Sequence, residues 1–520
     1  MPISQQGNVN TTSLIVPDLY VQIVSPQNLV LNGVPTNIIG VVGSASWGPV
    51  NEPAIVATMA DYARQFGGIV PRKYDMGTQV ATAVQQGAQN FRCVRITDGT
   101  DTAAATAVPG SNATFTAIHT GSLGNNVTLT LGDGSQPNTW MLTVMLPGFL
   151  PEVYDGLTGN GAPFWSGLAA AVNSGLGPQR GPSQLIIASA GGTTASPAPF
   201  SLTLGASSAG TDGASQVGSG QLIGADTAGR SGMYALRGQR CGIGILTDCD
   251  DSTTWSTQAA FGLDEGIYMI LTTPAGDTIA NAVTTIGQAG LNSYAAKLMF
   301  GDWLWWQDQA NNTVRLVSPQ GFAAGRLANL SPEQSSLNKQ IYGILGSQRT
   351  GTPKSGQNTT YASADLGAIL GAGLDVISNP QPGGSYWGVR GGNNTSSNAA
   401  TDGDNYTRLT NYIAETLSAG MGQYVGQVIN TNLFQQIRST QLSFLNNMFR
   451  QGLLGSTDGS LPFSVICDAS NNPPSRTGLG YVQSDAQVQY QAINERFIVN
   501  VEGGQTVQVS MQTLPTGQVS

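Results

Sequence analysis

The side chains able to do chemistry are few in this chain, and their spacing suits none of the usual reactions. The sequence of 520 residues holds one histidine, His119. It lies just before the Gly121 turn in a β-rich stretch and reads as a hydrogen-bonded loop residue, not a base or ligand. The run 224–232, GADTAGRSG, has the glycine content of a phosphate loop. It lacks the Gly-Lys-Ser/Thr end that grips the terminal phosphates, so it reads as a turn before a helix. Asp402-Gly403-Asp404 could open a calcium loop, but no glutamate stands at the closing position, which leaves an ordinary loop. Asp248, Asp250 and Asp251 cluster at a strand end and read as a solvated turn. Cys93, Cys241, Cys249 and Cys467 fit no zinc spacing and are expected as buried free thiols. The densest aromatic cluster, Trp303, Trp305 and Trp306, reads as core or an interdomain seam before a ligand platform. The expectation is no catalytic residue, no cofactor and no metal site.

The more informative residues lie near the chain ends. Leu19, Val21 and Ile23 alternate with period two after a polar leader. Phe497, Val499 and Val501, then Val507 and Val509, alternate on either side of Gly503-Gly504, a two-residue hairpin signal. A lone hairpin is marginal in water and needs further strands. These segments therefore read as arms that complete a sheet, either in their own subunit or in a neighbour's.

Between the arms the elements follow a recognisable order. The apolar run 38–43 precedes Trp47-Gly48-Pro49-Val50-Asn51-Glu52-Pro53, then a helix capped by Thr58 and stopped at Phe66-Gly67, a second helix over 77–87, and the strand Phe91-Arg92-Cys93-Val94-Arg95-Ile96. This series resembles the start of contractile tail sheath proteins of phages and related injection machines. The likeness continues through Gly121-Ser122-Leu123-Gly124-Asn125, Gly232-Met233-Tyr234-Ala235-Leu236, Ser318-Pro319-Gln320-Gly321-Phe322-Ala323-Ala324-Gly325 (with Gln320 where serine is usual) and Trp387-Gly388-Val389-Arg390. It fades over the Ser/Gly/Ala-rich stretch 188–221. The resemblance implies an α/β plus β multidomain fold with a subtilisin-like middle domain. That domain contains no histidine here, so no Ser-His-Asp triad can form, and the likeness is of fold only.

Composition is compatible with that resemblance. Charged residues make up 10% of the chain, against about 25% in a typical soluble domain. Lysine occurs only at Lys73, Lys297, Lys339 and Lys354. A surface built from Ser, Thr, Asn, Gln and Gly suits close packing against copies of itself. The net charge of −9 argues against a nucleic-acid surface. No apolar run is long enough to span a membrane, and the first residues lack the pattern of a signal peptide. Assembly in a host cytoplasm is expected.

The domains expected are an N-terminal arm over 1–25, an inner α/β domain built from both chain ends (26–102 and 351–495), a β-rich insertion over 103–205, the subtilisin-like domain over 206–350, and a C-terminal arm over 496–520. In the helix expected from Leu433 to Gln451, Leu433, Phe434, Ile437, Phe444, Leu445 and Met448 share a face, while Arg438 and Arg450 fall off it. By resemblance those arginines contact an inner tube; an internal packing helix with two solvated arginines is the alternative. The resemblance implies a non-enzymatic sheath subunit of a virion tail. It would form a helical homopolymer around the inner tail tube protein, with baseplate and tail terminator proteins as further partners. A bacterial injection device and a degenerate subtilisin-like hydrolase are the other readings.

Overall fold

The computed structural model describes residues 31–111, 113–192, 195–352 and 359–501, together with the backbones of residues 3–4 and 21–22. Apolar runs without alternation dictate strands buried on both faces. Ile39–Gly43, Ile243–Leu246 and Tyr268–Thr272 are such runs, Ala296–Met299 joins them with Lys297 in its middle, and every residue in the four is buried. They form the middle of a seven-stranded sheet whose order is Leu374–Asp375, Ala296–Met299, Tyr268–Thr272, Ile243–Leu246, Ile39–Gly43, Phe91–Arg95, Pro53–Val56. All neighbours run parallel except Pro53–Val56, which pairs antiparallel at the edge.

Helices cover both faces. Ile39, Val41, Ile243, Ile245 and Ile270 pack with Val80 and Phe322 from the helices Met76–Gln85 and Gln320–Ala328. On the other face Val42, Leu246 and Met269 meet Phe261, and Leu271 and Leu298 meet Trp255 and Ile286. The Thr58 cap expected from sequence is present, its side chain accepting from the Asp61 amide, and Gly67 ends the Met59–Phe66 helix. The helices Met76–Gln85 and Gln320–Ala328 approach closely because the 318–325 segment supplies glycine at the contact. A Cβ at Gly325 would lie 2.5 Å from the Ala83 Cα, and one at Gly321 2.2 Å from the Thr82 Oγ1.

Residues 103–205 form two antiparallel sheets. One holds Glu152–Leu157, Trp140–Met145, Thr128–Asp133 and Phe200–Thr203; the other holds Ile186–Ser189, Thr114–Thr120 and Ala103–Ala107. Leu129, Leu131, Leu142, Val144 and Phe115 fill the space between them, with the helix Gly161–Ser174 adding Phe164, Trp165 and Leu168. A third unit closes around the helices Asp404–Met421 and Thr431–Arg450 and the two-stranded sheet Phe463–Ile466 with Asp485–Val488. Its core holds Leu409, Phe444, Leu445, Met448, Phe463 and Val465, joined by Leu31 from the other end of the chain.

The central sheet draws on three of the segments expected from sequence: the strands at 39–43, 53–56 and 91–95 pair into one sheet with those at 243–299, and Leu374–Asp375 from 351–495 joins its edge. Near the start of the described residues, Leu31 packs in the core of the C-terminal unit and the Val34 amide donates to Thr416 Oγ1 at 3.2 Å. Strands buried on both faces can pair with any similar strand, and nothing in their apolar sequence names the partner.

The glycine contact yields a test. Gly325→Val should overpack the helix pair and destabilise the protein by about 1–3 kcal/mol, read from the urea midpoint. Gly367→Ala, in the helix Ser363–Gly371 where an added Cβ meets nothing within 4 Å, should be neutral or stabilising.

Candidate functional site

In an open parallel sheet, ligands bind beyond the carboxyl ends of the strands where the strand order reverses. That point lies here between Ile39–Gly43 and Ile243–Leu246, and protein side chains occupy it. Gln320 accepts from the Asp248 amide at 2.9 Å and donates to the carbonyls of Leu246 at 3.1 Å and Ile270 at 2.7 Å. Gln79 donates to Asp248 Oδ1 and to Ser318 Oγ, each at 2.9 Å, and accepts from the Gly321 amide at 2.7 Å. All of these side chains are buried. The solvated turn expected at Asp248 is thus corrected: its carboxylate lies inside the seam, with burial raising its pKa. Asp250 pairs with Lys73 at 2.9 Å, and Asp251 caps the next turn by accepting from the Thr253 amide at 3.0 Å.

The remaining chemical candidates are structural. His119 stands edge-to-face against Trp47, with ring centroids 5.3 Å apart, and burial followed by the Arg95 charge lowers its basicity. The run 224–232 is a turn before the short helix Gly232–Leu236, its Asp226 bridging Arg230 and Arg237. All four cysteines are buried and free, with burial pushing Cys241 up to about 12. The Trp303 Nε1 donates to the Thr273 carbonyl at 3.3 Å and the Trp306 Nε1 to Gln85 Oε1 at 3.0 Å, which places both tryptophans in packed seams. Among the described residues no cluster could hold a metal ion.

Buried cations tie the units together, Arg95 and Lys297 among them. Arg95, at the end of its strand, donates through Nη1 to the carbonyls of Gly48 and Thr120, both at 2.7 Å, and through Nη2 to that of Asp212 at 3.2 Å. It joins the sheet to the insertion. Lys297, fully buried in the middle of Ala296–Met299, bonds Asp375 Oδ2 at 2.6 Å and Asp404 Oδ1 at 3.1 Å. Burial acts to raise the Asp404 pKa, but Lys297 and hydrogen bonds from Ser336 and Tyr268 outweigh it and hold the carboxyl below its ordinary range. Asp404 begins the Asp404–Met421 helix, so the sequence expectation of an ordinary loop there is corrected: it anchors the C-terminal unit to the central sheet.

From that helix a ladder of tyrosines leads to the chain end. Tyr294, Tyr406 and Tyr490 stack edge-to-face with centroids 5.6 and 5.7 Å apart, and Asn405 Nδ2 donates to the Gln491 carbonyl at 3.0 Å. Beyond this root residues 494–501 are exposed. Phe497 is 81% exposed, Val499 63% and Val501 86%, and none of the three lies in a regular element. Val21 pairs in parallel with Ile3. Leu19, Ile23, Val507 and Val509 lie outside the described residues. Arg438 is exposed on the Thr431–Arg450 helix, and its Nε donates to the Val465 carbonyl at 3.1 Å; Arg450, also exposed, closes that helix. Leu433, Ile437, Phe444, Leu445 and Met448 are buried as the periodicity implies, with Phe434 half-buried.

Among the described residues, the sheet of the C-terminal unit has two strands. Phe463 pairs with Val488 and Val465 with Ala486. The Gln489 amide donates to the Pro462 carbonyl at 2.7 Å, which makes 462/489 a hydrogen-bonded pair and, by alternation, leaves the backbone groups of Phe463, Val465, Ala486 and Val488 pointing outward.

Two measurements test the buried charges. Lys297→Met leaves two carboxylates unpaired in the interior and should cost about 3–5 kcal/mol in chemical denaturation. Asp75, which caps Met76–Gln85, is held at about 7 by burial, against an ordinary carboxyl near 4. The folded state therefore binds a proton that the unfolded chain has lost across that window, so this group's contribution to stability falls as pH rises from about 4 to 7. Asp75→Asn should raise the melting temperature at pH 8, with the gain shrinking as pH drops towards 4.

No protein-family model and no curated protein matches the sequence. Solved structures do match its fold. A sheath tail protein from Desulfitobacterium hafniense is 17% identical, with 86% of this chain and 93% of that one covered at a TM-score of 0.56. A sheath tail protein from Listeria innocua is 14% identical, covering 84% and 89% at a TM-score of 0.59. The sheath of an extracellular contractile injection system in the contracted state is 10% identical, covering 94% and 97% at a TM-score of 0.53. Across nearly its whole length, this chain has the fold of contractile tail sheath proteins.

Proposed function

We propose that the chain is the structural subunit of a contractile tail sheath. Copies polymerise helically around an inner tail tube, and the polymer shortens to drive that tube through a cell envelope for genome ejection. The observation that carries this reading is an exposed apolar segment at Phe497, Val499 and Val501 on a sheath fold that also holds a two-stranded sheet with no third strand among the described residues. A two-stranded sheet is marginal by itself, and an alternating segment from a neighbour supplies the missing strand through main-chain hydrogen bonds. Side chains on one face of the added strand set its register, because a slip of one residue turns them to the wrong side.

In this reading the molecule works by packing. Contacts of a head-to-tail kind generate a helix that does not close. A difference of a few kcal/mol per subunit between extended and contracted lattices, an order of magnitude typical of interface energetics, sums over many copies to the work of penetration. The side chains of Gln79 and Gln320 that fill the switch point favour a non-enzymatic role, and a subtilisin-like middle layer without a triad remains part of this reading. The tube, baseplate and terminator proteins are the partners, and Arg450 is a candidate tube contact. The site of action is the virion tail after assembly in the host cytoplasm. A second reading, the sheath of a bacterial injection device, rests on the similarity to sheaths of such systems. Neighbouring capsid, portal and terminase genes separate the phage case from it.

Truncation after Asn494 tests the reading. The truncated protein should keep the melting transition of the full chain and stay monomeric where the full chain forms hollow tubes by negative-stain microscopy. Ordered tubes from the truncated protein would refute the role of the arm, and a truncated chain that fails to fold would place the segment in the subunit's own core.

A further inference from the structure

The two outer edges of the C-terminal sheet are not equivalent. On the Asp485–Val488 side, the outward groups of Ala486 and Val488 receive no hydrogen bond from any other described residue. On the Phe463–Ile466 side, the outward carbonyl of Val465 is taken by the Arg438 guanidinium, whose Nε lies 3.1 Å away. Arg438 follows the buried Ile437 on the helix that packs beneath this strand, so its stem starts at the strand's flank. A cation over an open edge is a recognised way to prevent untimely strand pairing. A protein stored as many copies, each with an exposed apolar segment at 497–501, has need of such protection.

We infer that Arg438 gates the Phe463–Ile466 edge. A strand from a second copy adds freely at the Asp485–Val488 edge. The other edge accepts its strand only after the Arg438 guanidinium turns away from the Val465 carbonyl. Sheet completion is thereby ordered, one edge before the other. This inference rests on the strand-addition reading above and assigns Arg438 a role within the subunit in place of the tube contact expected from sequence.

The test compares the full chain with Arg438→Met and Arg438→Ala. Both remove the donor at an exposed helix position that suits either residue. Tube growth is followed by light scattering, and amide hydrogen exchange is sampled during growth over 463–466 and 485–488. In the wild type, protection should appear at 485–488 before 463–466. In both variants the two segments should become protected together, and growth should be about fivefold faster, the equivalent of one modest hydrogen bond. Tubes with both edges protected but unchanged rate and order in the variants would overturn the gate and leave strand addition standing. Slower growth in the variants would make Arg438 an assembly contact and also overturn it. Tubes in which neither segment gains protection would overturn strand addition itself, and the gate with it.

Discussion

A lysine ammonium inside a parallel sheet is the constraint on which the rest of the structure depends. Lys297 sits in a strand buried on both faces, where a lone charge would be prohibitively costly. It needs carboxylates at bonding distance, and the chain supplies one from the adjacent strand, Asp375, and one from the first turn of the Asp404–Met421 helix. A carboxylate is favoured at a helix N-terminus, so the ion pair and the helix dipole agree on where that helix begins. Once the helix is placed, Tyr406 is placed with it, and the ladder through Tyr490 fixes the point from which the last segment departs. The position of the C-terminal arm is therefore set by an ionic contact in the central sheet.

This arrangement sets parts joined by buried ions apart from an exposed segment without them. Buried ions at Lys297 and Arg95 join the sheet to the C-terminal unit and to the insertion, while the filled crevice leaves the middle layer without a cleft at its topological switch point. The exposed apolar residues at 497–501 have none of these ties. On the proposed function, a rigid body carries the load and extended segments carry the connections, which lets subunits rotate without losing their neighbours. Low surface charge serves the same end, since few ions need to be stripped of water when lattices repack.

Much of this was legible in the sequence wherever a local rule applies. The Thr58 cap, the glycine stop at Gly67, the alternating strands of the insertion and the buried face of the Thr431–Arg450 helix each follow from side-chain spacing within a single element. The pairing of distant strands was not legible: Ile39–Gly43 and Ile243–Leu246 carry the same apolar signal as strands that could pair elsewhere. Buried charges were misread for a related reason. Asp248 and Asp404 look like turn residues until Gln79 and Lys297, far away in sequence, are brought against them. The one available signal was Lys297 itself, a lysine within an apolar strand, which calls for a buried partner. Spacing puts Arg438 off the apolar face, where it is exposed, but spacing alone does not show that a carbonyl of the neighbouring strand lies within its reach.

The central claim is that the central sheet and C-terminal unit move as one body while strands exchanged between copies hold the lattice. High-resolution helical reconstructions of the same tubes before and after contraction test it most directly. The account predicts that Ala296–Met299 and Asp404–Met421 superpose together in both states, with Lys297 still bonded to Asp404, and that residues 497–501 of one copy extend the Phe463–Ile466 and Asp485–Val488 sheet of another. A C-terminal unit that rotates away from the sheet at Lys297, or an arm folded back onto its own subunit in both states, would contradict it.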